Sequence, residues 1–125
     1  MPDVTLSKSE RLNSRKTITG LFQKGSSLFT YPFKFVYTPV KPDSDVPVQI
    51  LFSVSKRSFP RSVDRHRILR LMREAYRLNK HIIVPEDIDN SKKFAVGLIY
   101  VGKDLPEFKF LERKLISLLG RFKTN

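Results

Sequence analysis

The stretch Ser55–Arg77 reads SKRSFPRSVDRHRILRLMREAYR and predicts a helix with one apolar and one cationic face. It holds seven Arg and one Lys against two acidic residues. At about 100° per residue, one side of the helix collects the apolar side chains of Ile68, Leu71, Met72 and Ala75. The other side collects His66, Arg70, Arg73, Arg77 and Lys80. We expect the helix to begin after Pro60, with Ser62 or Asp64 as its cap, and to run to about Lys80.

The cationic face predicts a polyanionic partner. Exposed helix faces usually mix charges, because opposite charges three or four residues apart stabilise a helix. This face carries no acid, so its cations repel one another without benefit to the fold. A guanidinium can also hold a phosphate through two hydrogen bonds and stack on a base. We therefore expect nucleic acid first and an anionic membrane surface second. A short helix with five cations suits structured RNA, although composition alone does not separate RNA from DNA.

The composition sets the class of protein. The chain has 125 residues and a net charge of +12, from 24 Lys and Arg against 12 Asp and Glu. That length fits a single RNA-binding domain over residues 1–125. Without Cys there is no disulfide or thiolate metal site, and a reducing compartment is expected. Since no apolar run is long enough to span a membrane and no signal core precedes the domain, we expect a cytoplasmic protein without a membrane partner.

The remaining pattern predicts an α+β fold, a small mixed sheet packed on helices in a two-layer domain. The expected order is a helix in 7–24, a strand in 28–40, a turn at 41–45, a strand in 46–55, the basic helix, a loop in 81–93, a strand in 94–102 and a helix from Pro106. The first helix is expected to start at Ser7, with Glu10 in a capping box, or after Asn13. We expect strands 28–40 and 46–55 to pair as a β-hairpin.

A row of aromatic residues alternates along the first strand. We expect all five to point to one side of the sheet: Phe29, Tyr31, Phe33, Phe35 and Tyr37. Such a row can be a stacking platform for single-stranded nucleic acid. It can equally be the core face of a strand, and the core is the favoured interpretation because so short a chain without Trp needs these side chains inside.

The basic helix and the strand before it resemble the protein subunit of bacterial ribonuclease P. That family carries a strand ending in Val-Ser-Lys-Lys, a short loop, and Ala-Val-x-Arg-Asn-Arg-x-x-Lys-Arg-x-x-Arg-Glu. Here the strand ends Val54-Ser55-Lys56-Arg57, and the helix reads SVDRHRILRLMRE over residues 62–74. Further matches are Leu6-Ser7-Lys8, Arg11-Leu12 and Leu21-Phe22-x-Lys24-Gly25. The chain departs from the family pattern at Ile18, Gln49, Leu51, His66 and Leu69.

The resemblance implies a division of labour. In that enzyme the RNA subunit hydrolyses the phosphodiester with bound Mg²⁺, while the protein binds the RNA and the 5′ leader of precursor tRNA. It implies no cofactor on the protein itself, one protein monomer per RNA, and a left-handed β-α-β crossover as in ribosomal protein S5 domain 2.

Site residues carry over from the resemblance by position. The residues expected to face the catalytic RNA are Arg65, His66, Arg67, Arg70 and Arg73. The cationic surface around them would comprise Lys56, Arg57, Arg61 and Arg77. The leader cleft would comprise Ile18, Phe22, Lys34 and Val36, because the sheet face opposite the aromatic row would lie beneath Phe22.

No catalytic side chain is expected on the protein. A protein-only nuclease needs clustered carboxylates for a metal, or an acid and base pair of His residues. The acids here are scattered through a turn and a loop, and His66 and His81 are the only histidines. Asp87 and Asp89 are better interpreted as solvated loop acids than as a metal site. Two alternatives stay open, a generic ribosomal or RNA-chaperone protein without a leader cleft, and a small independent nuclease.

Overall fold

In the computed structural model, the described residues are 10–40, 48–83 and 93–123. They form three α-helices and four strands in the order α1 (Arg15–Lys24), β1 (Ser26–Thr30), β2 (Phe33–Val40), β3 (Val48–Val54), α2 (Ser62–Asn79), β4 (Lys93–Tyr100) and α3 (Phe108–Lys123). A single 3-10 turn, Lys80–Ile82, follows α2. The expected α+β class with one small mixed sheet is confirmed. The turn at 41–45 and the acids of the 81–93 loop lie outside the described residues.

The strands form one mixed sheet in the order β1-β2-β4-β3. β2 pairs antiparallel with both β1 and β4, whereas β3 pairs parallel with β4. The connection between the two parallel strands contains α2, so the expected β-α-β unit is present. The left-handedness of this crossover stays a prediction.

The predicted hairpin between 28–40 and 46–55 is wrong. The first of these segments is itself a hairpin, because the chain reverses at Tyr31–Pro32, whose peptide bond is cis. β4 then pairs with β2 along its whole length, from Phe33 opposite Tyr100 to Val40 opposite Lys93. Since β1 and β4 occupy both edges of β2, β3 pairs with β4 instead. Alternation identifies a strand but does not choose its partner.

The main core lies between one face of the sheet and the helices α2 and α3. Phe33 and Phe35 are fully buried there, together with Leu98 of β4. The helices contribute the fully buried side chains Ile68, Met72, Leu111, Leu115 and Leu118. The core interpretation of Phe33 and Phe35 is therefore confirmed, and the apolar face of α2 is fixed by burial.

The aromatic row does not continue through the turn. Phe29 of β1 stands directly opposite Lys34, so it lies on the other face of the sheet from Phe33 and Phe35. Phe29 and Tyr31 are 57% and 55% exposed, and the prediction that all five aromatic residues share one face is wrong. Because the chain reverses at Tyr31–Pro32, the alternation of side chains between the two faces starts anew in β2. In one continuous strand, all five aromatic side chains would have stayed on the same face.

α1 crosses part of the face on which Phe29 lies. The helix begins at Arg15 because Ser14 is its N-cap, with the Ser14 hydroxyl accepting a hydrogen bond from the Thr17 backbone N–H at 3.3 Å. The predicted cap at Asn13 is therefore wrong by one residue, and the predicted start at Ser7 lies outside the described residues. Leu21 of α1 packs into a small second core whose buried members are Leu12, Leu21, Val36 and Ala95.

Candidate nucleic-acid interface

The cationic face of α2 is exposed and held in a fixed orientation. Buried Ile68, Met72, Ala75 and Tyr76 seat the helix on the main core. The side chains that remain exposed along its outer side are His66, Arg67, Arg70 and Arg73. Arg73 also places its guanidinium carbon 5.9 Å from the centre of the Phe52 ring of β3, a cation–π contact that orients the side chain. These residues are placed as the sequence predicted, and their role in binding stays a prediction.

An open depression of ≈ 480 Å³ lies beside this face. Its lining comprises Arg11, His66, Leu69, Arg70, Arg73, Glu74 and Arg77. Several guanidinium groups thus border a single concavity, and guanidinium groups bind phosphate oxygens through paired hydrogen bonds.

Arg11 is a member of this surface that the sequence interpretation missed. The chain before α1 runs beside β3, where Arg11 forms a parallel bridge with Ile50 and the Leu12 N–H donates to the Ile50 carbonyl at 2.9 Å. This pairing carries Arg11 across to α2. No local sequence pattern predicts the position of Arg11, because it belongs to neither a helix nor a regular strand. The only signal was the match of Arg11-Leu12 to the family pattern.

Lys80 does not belong to the cationic face, and its predicted place there is wrong. α2 ends at Asn79, and the 3-10 turn that follows rotates Lys80 inward. Its ammonium donates to both carboxylate oxygens of Glu10 at 2.9 Å, and both residues are buried. The pair ties the segment that carries Arg11 to the end of α2. Burial of the neighbouring Tyr76 hydroxyl raises its pKa, and the Glu10 charge raises it further.

Arg77 is not an unpaired cation either. Its Nε donates to Glu74 at 3.1 Å, one helical turn away, so the expectation of an acid-free face fails at this end. The hydrogen bond lowers the pKa of Glu74 and raises the pKa of Arg77. The sequence placed Glu74 at the flank of the face, but long side chains three residues apart meet on a helix.

Arg65 supports the loop before α2. Its guanidinium donates to the carbonyl oxygens of Phe59 and Pro60 at 2.8 and 2.9 Å. Phe59 is buried in the main core, so this contact fixes the entry into the helix. Lys56 and Arg57 are exposed in the turn before it, and Arg61 is exposed at 4.0 Å from Asp64. The predicted cations of this region therefore surround the start of α2.

The residues predicted for a leader cleft lie on the other face of the sheet. Phe22 is 49% exposed, Lys34 is exposed and Ile18 is partly buried. Val36 is buried under α1, so it offers little surface of its own. Phe22 lies over β4, where a Cβ added to Gly97 would stand 3.6 Å from its ring tip. That is an ordinary van der Waals distance, so the half-exposed Phe22 ring lies close against the sheet at this position.

This face is also electropositive. Together, α1 and the four strands contain five basic residues and no acid: Arg15, Lys16, Lys24, Lys34 and Lys93. Lys93 is buried, and the others are exposed. An exposed Phe beside cations, without neighbouring acids, is the combination that binds single-stranded nucleic acid through stacking and phosphate contacts.

In the three described segments, no three His, Asp or Glu side chains are grouped to hold a metal ion. No helix within those segments is long and apolar enough to cross a bilayer. Asp87 and Asp89 fall outside the described residues.

The comparisons with known proteins agree with one another. A family model described as Ribonuclease P matches residues 6–123. A ribonuclease P protein component from Porphyromonas gingivalis is 36% identical over 126 residues, covering 99% of this chain and 90% of that protein. The RNase P protein from Thermotoga maritima is 24% identical with a TM-score of 0.70, covering 90% of this chain and 96% of that one. The Staphylococcus aureus RNase P protein is 20% identical with a TM-score of 0.72, covering 93% and 97%. The two structures show a shared fold.

Proposed function

Because the chain belongs to the ribonuclease P protein family, we propose that it is the protein subunit of a ribonuclease P, binding the catalytic RNA subunit through α2 and the 5′ leader of precursor tRNA on the α1 face of the sheet. The observation that carries the first contact is the depression bordered by Arg11, Arg70, Arg73 and Arg77. The second contact is supported by Phe22, half exposed over Gly97, and by the lack of acids in α1 and the four described strands.

In this assignment the RNA subunit performs the hydrolysis of the phosphodiester bond. Mg²⁺ held by the RNA would supply the activated water, and the protein would bind no cofactor of its own. The work of this chain is to bind and to position. The α2 cations offset the repulsion between phosphates of the folded RNA, and Phe22 with Lys34 holds the leader so that the mature 5′ end meets the RNA active site.

The proposed partners are one catalytic RNA per protein monomer, and precursor tRNA as substrate, in the cytoplasm. The alternative, a generic structured-RNA-binding or ribosomal protein, would use the same α2 face. It would give no reason for an aromatic ring lying exposed over a glycine on the opposite face of the sheet. Discrimination between precursor and mature tRNA separates the two functions.

Reconstitution tests the proposal. Purified protein alone should leave precursor tRNA intact, and with its cognate RNA subunit it should increase cleavage at the mature 5′ end. The increase should be largest at low Mg²⁺, where the α2 cations replace the screening that metal otherwise supplies. Cleavage by RNA-free protein, in preparations that pass nuclease controls, would contradict the proposal. So would an RNA subunit whose activity does not respond to the protein at any Mg²⁺ concentration.

A further inference from the structure

Phe29 is an exposed aromatic residue that the α2 interface and Phe22 leave unexplained. It is 57% exposed in the edge strand β1, more than any other described Phe of the sheet. Its register partner is Lys34, so the two side chains lie side by side on the face that α1 partly covers. Apolar rings exposed to water commonly mark a contact surface when a cluster of them shares one face.

The end of β1 is anchored, which fixes where the Phe29 ring is presented. Arg121 of α3 donates to the Phe29 carbonyl at 2.7 Å and to the Thr30 hydroxyl at 2.6 Å. The backbone of this edge strand is therefore tied to α3 in addition to its pairing with β2. Because the backbone is held in this way, only the rotamers of the Phe29 side chain have to be ordered when a partner stacks on the ring.

Phe29 and Phe22 lie within reach of one extended ligand. Phe22 covers Gly97, which pairs with Val36, and Val36 pairs with Ser27 of β1. The distance from Gly97 to Phe29 thus spans two strand spacings across the sheet and two residues along β1, which is about 12 Å at ordinary sheet dimensions. Lys34 lies between them, in the strand next to Phe29 and two residues before Val36.

We propose that Phe29 is a second base-stacking residue, and that single-stranded RNA runs from Phe22 past Lys34 to the β1 edge. This deepens the proposed leader contact and rests on it. Single-stranded RNA is the favoured occupant because it pairs aromatic stacking with phosphate charge, and α1 and the four strands contain cations but no acid. The competing occupant is a second copy of the chain, pairing along the exposed β1 edge.

The test measures binding of free protein to 5′-labelled oligoadenylates of increasing length by fluorescence anisotropy at fixed salt. Stacking on one ring predicts that Phe29→Ala binds the longest oligomer about 5-fold or more weakly than wild type. The deficit should shrink as the oligomer becomes too short to span both rings. Phe29→Tyr should bind as wild type, whereas Phe29→Leu should resemble Phe29→Ala. Ile116→Ala, which removes a 41% exposed side chain from α3, is the matched control and should bind normally.

Three results would overturn the inference. Phe29→Ala binding like wild type at every length would remove Phe29 from the RNA path. Phe29→Leu binding like wild type would mean that apolar surface suffices without stacking. A wild-type dimer in sedimentation that Phe29→Ala dissolves, with RNA binding unchanged, would assign the ring to self-association. Each of these results leaves the proposed function intact if Phe22→Ala still weakens precursor binding in the reconstituted enzyme. Failure of the protein to stimulate the RNA subunit would instead contradict the proposed function.

Discussion

The two exposed faces of this molecule are both electropositive but chemically different. The α2 face concentrates guanidinium groups around a depression and places Glu74 at its border. On the α1 face of the sheet, the described residues of α1 and the four strands supply fewer cations, no acid, and two half-exposed Phe rings, Phe22 and Phe29. The first arrangement suits phosphates, whose binding releases counterions and depends on salt, and the second adds uncharged stacking contacts with unpaired bases. Net charge alone does not distinguish these faces, and the placement of aromatic rings does.

The largest expected effect is the salt dependence of RNA-subunit binding. If about six phosphates are neutralised, affinity should fall by roughly 10³ or more between about 50 and 200 mM salt. Arg70→Ala and Arg73→Ala should each reduce the slope of log affinity against log salt by about one unit. Phe22→Ala should leave the slope unchanged. Slopes that stay at the wild-type value in both Arg variants would show that α2 is not the contact surface.

A second prediction concerns the buried Glu10–Lys80 pair, which joins the Arg11 segment to α2. Lys80→Met removes the ammonium that neutralises the buried Glu10 carboxylate, so we expect a loss of about 3–5 kcal/mol in the free energy of unfolding. The measurement is chemical denaturation followed by circular dichroism. Glu74→Gln, which breaks an exposed pair on the same helix, is the control and should change stability little. Equal losses of stability in the two variants would contradict the expectation that the buried pair matters more than the exposed one.

The third prediction isolates the α1 face. Phe22→Ala should weaken binding of leader-bearing precursor tRNA by about 1–3 kcal/mol, the contribution of stacking on one base, and leave mature tRNA nearly unaffected. Equilibrium binding to the reconstituted enzyme measures both. The melting temperature must first be shown to match wild type, because Phe22 also contacts the sheet at Gly97. A folded variant that discriminates the leader normally would remove Phe22 from the cleft.

The smallest expected effect is at Glu74, whose pKa is lowered from its ordinary value of 4.5 by the hydrogen bond from Arg77. Because the carboxylate stays ionised throughout the neutral range, it opposes RNA phosphates at the depression. Glu74→Gln should therefore bind RNA slightly more tightly at neutral pH. Because the pKa of Glu74 is lower in the folded than in the unfolded protein, its pair with Arg77 stabilises the fold fully at pH values above the unfolded-state pKa. This stabilisation is lost as the pH falls through the folded-state pKa of Glu74. Weaker RNA binding by Glu74→Gln would show that orienting Arg77 matters more than removing the charge.

Periodicity predicted the parts of this fold that depend on local burial. The apolar stripe of α2 followed from spacing, because the helical period is set by backbone geometry. The burial of Phe33 and Phe35 followed from their alternation together with the need of a short chain without Trp for large apolar side chains in its core. The choice of strand partners did not follow. The pairing of β3 with β4 can be foreseen only once β1 and β2 are known to be separate strands. In the sequence, the reversal at Tyr31–Pro32 looks like continued alternation along one strand.

The same limit applies to the interface. Exposed Arg70 and Arg73 were predictable, since a helix face needs only the sequence of that helix. Lys80 and Arg11 were not, because each is placed by a contact with a distant segment, Lys80 by Glu10 and Arg11 by β3. Phe29 was assigned to the wrong face for the same reason as the hairpin. Residues whose roles depend on tertiary pairing are thus the ones that sequence patterns misplace.

The central claim, that the two faces bind different parts of the RNA, is tested most directly by one ratio. It is the affinity of the reconstituted enzyme for precursor tRNA divided by its affinity for mature tRNA, measured for wild type, Phe22→Ala and the Arg70→Ala/Arg73→Ala double variant at one salt concentration that keeps the RNA subunit bound in all three. We predict that Phe22→Ala lowers the ratio by about 5-fold or more, as loss of stacking on one base requires, and that the double Arg variant leaves it unchanged. A ratio lowered equally by both variants, or by the Arg variant alone, would contradict the separation of the two faces.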